Sequence, residues 1–563
     1  MLRLVGRRQR RSFLWLIAAR TMVGFCDLLL AAAMYLLFLL LQGASPAHYR
    51  WWTPRTTLSA ASATAALVLL RALMDIASTR SVVGHIQTLY TEILLRLTDG
   101  YNEMQWIRFA QRNRSELVNH STHTAREAAN FYHLGIELTA AAAVVMVMTG
   151  ALVYQSPAAA CGFGAAVSVF YGVHRLLIRN KLQRSAAERE QYVQVLQRSL
   201  ADMLSSAREI RSYGIEAFFR DRIASHARTA AVSQQRVVLL PQVARIVADQ
   251  GVVLLFLCVV IVTQLRHGDV RQLLSLLVFY FVLSRRMLPL ISQISFMAGQ
   301  MESAYKSIQI VAHELSDCLI HRRPASSSQV PKGNFVLEAE QVSFSFREGV
   351  TLLRNVTFCL RRGETVLLQG VSGSGKSSLL NLIAGILRPA TGVVRIDRAS
   401  VAYVPQEVTL LDDSIRNNLR FGLASGNDVD LMKALATANM KAFVDAQPLG
   451  LDTAVGDNGV LLSGGQRQRL GVARAVFRGA SLLLLDEATS ALDETNESQV
   501  LEKLNASGVA VLLVTHRIHK AAFVQRVLRL EQGYLIEEPF QEPLVAHKRA
   551  EAAGLTFHEN TVR

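Results

Sequence analysis

Eight consecutive residues, Gly370-Val371-Ser372-Gly373-Ser374-Gly375-Lys376-Ser377, have the spacing G-x-x-x-x-G-K-[ST] of a phosphate cradle. Glycines let backbone N–H groups approach the oxygens of a polyphosphate closely, a lysine neutralises the outer phosphates, and a hydroxyl supplies a ligand to the accompanying divalent cation. Lys376 is expected to reach the outer phosphates and Ser377 to ligate Mg²⁺. The apolar run Thr365-Val366-Leu367-Leu368 before the loop reads as a strand. Ser378-Leu379-Leu380-Asn381-Leu382-Ile383 after it reads as a helix, whose N-terminus favours negative charge. That strand–loop–helix setting separates a phosphate loop from a Gly/Ser-rich turn of no chemistry.

A second group is Leu482-Leu483-Leu484-Leu485-Asp486-Glu487, four apolar residues that make a buried strand ending in two carboxylates. Asp486 could hold Mg²⁺ through water and Glu487 could polarise an attacking water. Apolar runs ending in acids are common, so this pair depends on the phosphate loop for its meaning.

The most specific stretch is Leu462-Ser463-Gly464-Gly465-Gln466. Five specified residues arise by chance in about one chain in a thousand of this size. Here the chain resembles the ATP-binding cassette (ABC) transporter family, and the stretch is similar to that family's signature sequence. The resemblance implies that ATP is the nucleotide, with its phosphates on residues 370–378, and that Ser463, Gly464, Gly465 and Gln466 cap the ATP held by an opposite domain. Further family elements follow in order. Gln406 in Tyr403-Val404-Pro405-Gln406 looks like the Q-loop glutamine, which senses Mg²⁺ and the membrane domain. Asp493 in Ser490-Ala491-Leu492-Asp493 looks like the D-loop. His516 in Val514-Thr515-His516-Arg517 looks like the switch histidine at the γ-phosphate. The implied catalytic set is Glu487, His516 and Gln406, and the implied metal set is Ser377, Gln406 and Asp486.

Three departures from the family pattern bear on function. The adenine-stacking aromatic, usually tyrosine, is Phe346 here, and stacking needs only the ring face. The stretch between Lys376 and Gln406 is short, as if a surface hairpin were trimmed. Gly456-Asp457-Asn458-Gly459 precedes the signature where the family usually has Glu-Arg, which touches the cross-talk with the membrane domain rather than hydrolysis.

The elements that must carry these loops divide the chain in two. Of 563 residues, 51% are hydrophobic and 18% charged, against about 25% charged in soluble domains. Mean hydropathy is +0.24. Six apolar helices are expected near 21–41, 57–77, 134–154, 158–178, 246–265 and 272–296, each about the 20 residues that cross a bilayer. The second is rich in alanine and serine, and the sixth is interrupted by Arg285 and Arg286. Gly43 to Thr56 is short and carries Tyr49, Trp51 and Trp52, which suit a membrane interface. The connections 77–132 and 179–244 are long and basic, the second with Pro241 near its end, and read as cytoplasmic helix. The net charge of +16 follows from arginine beside membrane helices, with no nucleic acid implied. The basic N-terminus is followed by an apolar run too long for a cleaved signal. The five cysteines, Cys26, Cys161, Cys258, Cys318 and Cys359, have no metal-ligand spacing and read as free thiols.

The expected fold is therefore multi-domain. An all-α six-helix transmembrane domain at 1–316 leads through a Pro/Ser-rich linker at 317–333 into an α/β P-loop NTPase cassette at 334–563. Six crossings leave the cassette in the cytoplasm, in an integral, multi-pass protein of a bacterial inner membrane. This order of domains resembles the exporter-type (type IV) branch, with coupling segments expected within 113–119 and 211–219.

One phosphate loop and one signature per chain imply a partner: a second copy or a paired half-transporter. ATP-driven export or flipping of an amphipathic substrate (a peptide, a lipid-linked molecule or a drug) is the first reading. A membrane ABC protein that uses ATP to regulate a partner is the alternative. Apolar helices fused to the cassette exclude an ABC ATPase working on nucleic acid. No leader-peptidase domain is expected before the first helix. The charges Asp27, Arg71, Glu137, Asp249, Arg285 and Arg286 lie in or near the spans, where charge is costly and usually faces a cavity, unless the helices carry them beyond the bilayer into the cytosol. Arg285 and Arg286 could bind an anionic group of the cargo, or snorkel to headgroups.

Overall fold

The computed structural model describes residues 7–41, 57–155, 172, 180–265, 270–323, 330–347, 350–423, 426–515 and 524–539. The chain forms two compact units. The first holds 1–103 and 112–320, the second 104–111 and 321–563.

The first unit is helical. Long helices run over Arg7–Leu41, Thr57–Glu103, Ala125–Gln155, Asn180–Ser205, Glu216–Leu265 and Val270–Ile320. Among the described residues, three stretches are long and apolar enough to cross a membrane: Ser12–Met34, Thr57–Glu103 and Arg114–Tyr154. They contain or overlap the expected spans 21–41, 57–77 and 134–154. The spans expected at 246–265 and 272–296 fall inside the two longest helices, and 158–178 lies almost wholly outside the described residues, as do the side chains of Asp249, Arg285 and Arg286. The helix Val270–Ile320 runs on into the segment read as linker.

Small residues set how closely these helices approach. A Cβ on Gly24 would lie 1.9 Å from Val144 Cγ2, so glycine lets Arg7–Leu41 meet Ala125–Gln155 backbone to side chain. Ala125, Ala128 and Ala129 form a similar flat face under Leu89, Ile93 and Leu97, spaced at one helical face, and under Ile308 and Val311.

The charges within the apolar helices pair across helices. Arg71 donates through Nε to Asp27 Oδ1, and both groups are largely buried. Arg20 Nε donates to Glu137 Oε1 at 2.8 Å, and its Nη1 donates to Asp75 Oδ1 at 2.6 Å and to Thr79 Oγ1 at 3.0 Å. Asp27, Arg71 and Glu137, singled out in the sequence as charges in or near the spans, are thus ion-paired between the first three long helices. Nearer the end of Val270–Ile320, buried Glu314 accepts from Arg112, and Tyr101 OH lies 3.4 Å from Glu314 Oε2.

The helix Ala207–Tyr213 stops at Gly214, whose φ of +65° is the left-handed cap that glycine takes without strain. Tyr213, Ile215 and Phe218 are exposed around that break, within the 211–219 segment singled out above. The segment 113–119 forms a helix of the first unit, Arg114–Asn119, capped by the Asn113 side chain on Ser115 N–H. It is Met104–Gln111 that groups with the second unit. There Gln105 N–H donates to His321 O at 2.9 Å, and Ile107 packs on the cassette's core.

The second unit is α/β. A three-stranded antiparallel sheet has order β2-β1-β4, with β1 Phe335–Arg347, β2 Val350–Arg361 and β4 Thr391–Ile396. A six-stranded sheet has order β5-β6-β7-β3-β8-β9, with β3 Thr365–Gln369, β5 Val401–Val404, β6 Leu482–Asp486, β7 Ala510–Val514, β8 Arg526–Glu531 and β9 Tyr534–Pro539. Strands β5, β6, β7, β3 and β8 are parallel, and β9 returns antiparallel. Strands β6 and β7 are buried throughout, which is why Leu482–Leu485 and Ala510–Val514 carry no polar alternation.

Candidate functional site

The parallel register brings the chemical residues together. The phosphate loop follows β3, Gln406 follows β5, and Asp486 ends β6 with Glu487 after it. All therefore leave the carboxyl edge of one parallel sheet, where open α/β sheets bind ligands.

The loop itself has the backbone its glycines predict. Gly373 and Gly375 have φ of +80° and +106°. A Cβ on Gly370 would lie 2.6 Å from Ser374 Oγ and 2.7 Å from Leu530 O. Lys376 begins the helix Lys376–Ile383, and its Nζ folds back to donate to Gly370 O at 2.8 Å and Val371 O at 3.1 Å. Ser374 Oγ is buried without a hydrogen-bond partner, an orphaned group of the kind a phosphate oxygen would satisfy. Val371, Ser372 and Ser377 are exposed, and Ser378 is half-buried on the helix's first turn.

Asp486 is buried and accepts from Tyr403 OH at 3.0 Å. Burial, then the Asp486 carboxylate, push the tyrosine hydroxyl above its ordinary range, so it stays a donor. Glu487 takes φ +50°, left-handed backbone that a residue with a side chain adopts at a cost of order 1–2 kcal/mol. Strain of that kind gathers at functional sites. Its Oε2 accepts a 2.8 Å bond from Gln406 Nε2. One carboxylate, one hydroxyl and one amide carbonyl form a donor set of hard oxygens, which fits Mg²⁺ held jointly with phosphates and water. The bond to Glu487 uses the amide nitrogen of Gln406, so its carbonyl oxygen is the atom that could join that set.

The signature stretch opens the helix Gly464–Phe477 with a capping box. Ser463 Oγ accepts from Gln466 N–H at 3.2 Å, and Gln466 Oε1 accepts from Ser463 N–H at 2.8 Å. Gln466 is thereby committed to its own helix start, while Ser463 is exposed. Gly464 and Gly465 lie against Ala491, and a Cβ on Gly465 would meet Ala491 O at 3.0 Å. Asp493 stands at the N-cap of Glu494–Ala506 and accepts from Asn496 Nδ2 at 2.5 Å. Phe346, 53% exposed on β1, meets Phe344 edge-on at 4.9 Å. His516 lies outside the described residues, two positions after β7. The Gly456–Gly459 departure forms a tight turn in which Asn458 has φ +48° and accepts from Leu410 N–H.

Two residues of this site were not assigned roles from sequence: Tyr403, on Asp486, and Gln468, buried beneath Gln406 and Glu487. Tyr403 opens the stretch quoted above for Gln406, and Gln468 lies two residues beyond the signature stretch, yet the partners of each are defined only by strand order.

Comparison with known proteins agrees with this geometry. Residues 353–490 match the ABC transporter family model. The chain is 39% identical over 244 residues to an ATP-dependent lipid A-core flippase of Burkholderia pseudomallei, covering 40% of each chain. It is 30% identical over 380 residues to one of Pseudomonas aeruginosa, covering 63% of this chain and 62% of that protein. The matches thus span about two fifths of the first curated relatives' length. Among solved structures, a bacterial Atm1-family ABC exporter with ATP bound superposes with a TM-score of 0.72 at 19% identity, over 98% of this chain and 99% of that one, a likeness of fold.

Proposed function

We propose that this chain is an exporter-type ABC transporter with an ATP-binding cassette and a membrane domain, and that two copies, or this chain and a related half-transporter, hydrolyse ATP to flip or export an amphipathic, lipid-linked cargo across a bacterial cytoplasmic membrane. The multi-pass topology and the inner-membrane setting are part of this reading. One observation carries it: phosphate loop, Gln406, Asp486 and Glu487 converge at one sheet edge, while exposed Ser463 heads a separate helix. The lipid-linked class is taken from relatives named as lipid A-core flippases.

In this reading Lys376 exchanges its two carbonyl partners for phosphate oxygens, and Ser374 gains its missing partner. Ser377, Asp486 and Gln406 would hold Mg²⁺, which when bound neutralises phosphate charge. Glu487 orients and deprotonates the attacking water. Phe346 stacks on the adenine. His516 and the partner's signature complete the γ-phosphate surroundings, and closure of the two cassettes drives the membrane helices.

Mixing tests the shared site. Lys376→Ala and Ser463→Ala are each expected to abolish ATPase activity alone. Co-expressed as a purified mixed dimer, they leave one site with an intact loop and an intact signature. The mixed dimer should regain a substantial fraction of one site's activity. No recovery in the verified mixed dimer, or full activity of either single variant, contradicts the reading.

A further inference from the structure

We infer that Gln468 is a positioning residue that links the signature helix to the strained peptide of Glu487 and so couples one ATP site to the other; this rests on the proposed function above. Gln468 lies five residues into the chain beyond Ser463, on the same helix, and is only 6% exposed. Its helical neighbours Leu470, Gly471, Val472, Ala473 and Ala475 are buried and apolar. A primary amide among them must be fully hydrogen-bonded to be tolerated.

Its partners come from three loops. Oε1 accepts the Ala491 N–H at 2.9 Å, which fixes the amide's orientation because a backbone N–H needs an oxygen. Nε2 then has two hydrogens facing three oxygens: Ser490 Oγ at 3.1 Å, Gln406 O at 3.3 Å and Glu487 O at 3.4 Å. One side chain therefore touches the backbone of both members of the Gln406–Glu487 pair and the loop that follows them.

A buried, satisfied glutamine could serve packing alone. What points further is the conformation it supports. Glu487 is left-handed, with φ +50°. Its peptide is held by Glu487 N–H on Val514 O at 3.0 Å, by Ser490 N–H on Glu487 O at 3.0 Å, and by Gln468. Of these three, only Gln468 belongs to the helix whose first turn carries Ser463. When Ser463 engages the partner's nucleotide, any shift of that helix reaches Glu487 and Gln406 through this amide. Each site would then report its occupancy to the other.

The test uses the full-length protein in lipid nanodiscs with two variants. Gln468→Met keeps length and volume but removes every hydrogen bond. Gln468→Glu keeps the acceptor for Ala491 N–H and donates only when its carboxyl is protonated. For Gln468→Met the expected result is a melting temperature and a Mg²⁺-free ATP Kd close to wild type. Its kcat should fall about tenfold with KM little changed, and the Hill coefficient for ATP should fall towards one. For Gln468→Glu, the ratio of its kcat to wild type should rise as pH is lowered from about 8 to 6, because burial raises the carboxyl's pKa and protonation restores a donor. A wild-type-like kcat for both variants overturns the inference. So does a loss of kcat that tracks losses of melting temperature and ATP affinity with no pH-dependent recovery. If Gln468→Met does not fold, the pH profile of Gln468→Glu decides alone. A wild-type protein that binds ATP without hydrolysing it would overturn the proposed function, and this inference with it.

Discussion

The side-chain amide of Gln406 donates a 2.8 Å hydrogen bond to Oε2 of Glu487, so the two residues proposed to handle metal and water are paired with each other. That bond uses one lone pair of the carboxylate and leaves others to accept a proton from water. Glu487→Gln keeps the shape and removes the charge. Hydrolysis is expected to fall about 10²-fold or more, the scale of a general base, while ATP binding persists. The variant should trap ATP between closed cassettes, measurable as a shortened distance between spin labels. Parental turnover, or cassettes that stay apart with ATP, would reassign Glu487.

Tyr403 leads to a second expectation. Its hydroxyl occupies Asp486 Oδ2 and holds the carboxylate in one orientation. Tyr403→Phe removes that bond without changing the ring, leaving a buried carboxylate less well satisfied, at a cost of about 1–3 kcal/mol. The Mg²⁺ concentration for half-maximal ATPase should rise severalfold, with Mg²⁺-free ATP binding unchanged. An unaltered Mg²⁺ titration would mean that Tyr403 plays no part in metal binding.

In the helical unit, Asp27 and Arg71 neutralise one another between two apolar helices. Asp27→Asn leaves Arg71 without this partner, which costs about 3 kcal/mol for a largely buried pair. The melting temperature should fall, and the exchange Asp27→Arg with Arg71→Asp should recover much of the loss. A swap no more stable than the single variants would show that the pair is not a stabilising contact.

Cys318 gives a pH-dependent readout. Burial first, then the carboxylates of Glu314 and Asp317, push its thiol up to about 11. Only the thiolate is alkylated, so near neutral pH Cys318 should react about a hundredfold more slowly than a thiol of pKa about 9. The rate should climb about tenfold per pH unit and level off above about pH 11. The same shift makes the folded chain hold a proton that the unfolded chain has released. Its contribution to stability is therefore full below the unfolded pKa and is lost as pH rises towards the folded one. Peptide mapping after timed iodoacetamide treatment measures this. Alkylation of Cys318 at an ordinary thiol rate contradicts it.

The phosphate loop, the two carboxylates at the end of β6 and the capped signature helix were legible in sequence because each is a local motif whose neighbours in the chain are its neighbours in space. Tyr403 and Gln468 were not assigned because their partners are fixed by strand order. Only the β5–β6 pairing, which aligns Tyr403 with Leu484, brings that hydroxyl to Asp486. The pairing of Arg20 with residues 75 and 137 likewise needs three helices in register, which no local pattern in the chain reveals. The segment grouped with the second unit, 104–111, lies just ahead of the 113–119 segment that resembled a coupling helix, because Ile107 and the Gln105–His321 backbone bond decide it.

The most direct test of ATP-driven flipping is a proteoliposome assay with a headgroup-labelled, lipid A-like glycolipid whose leaflet is read by a membrane-impermeant quencher. Wild-type protein with ATP and Mg²⁺ should move the label between leaflets and hydrolyse ATP faster when the lipid is present. Glu487→Gln in the same vesicles should do neither. Robust ATP hydrolysis that no lipid of this class stimulates, with no ATP-dependent movement of the label, would contradict the proposed function.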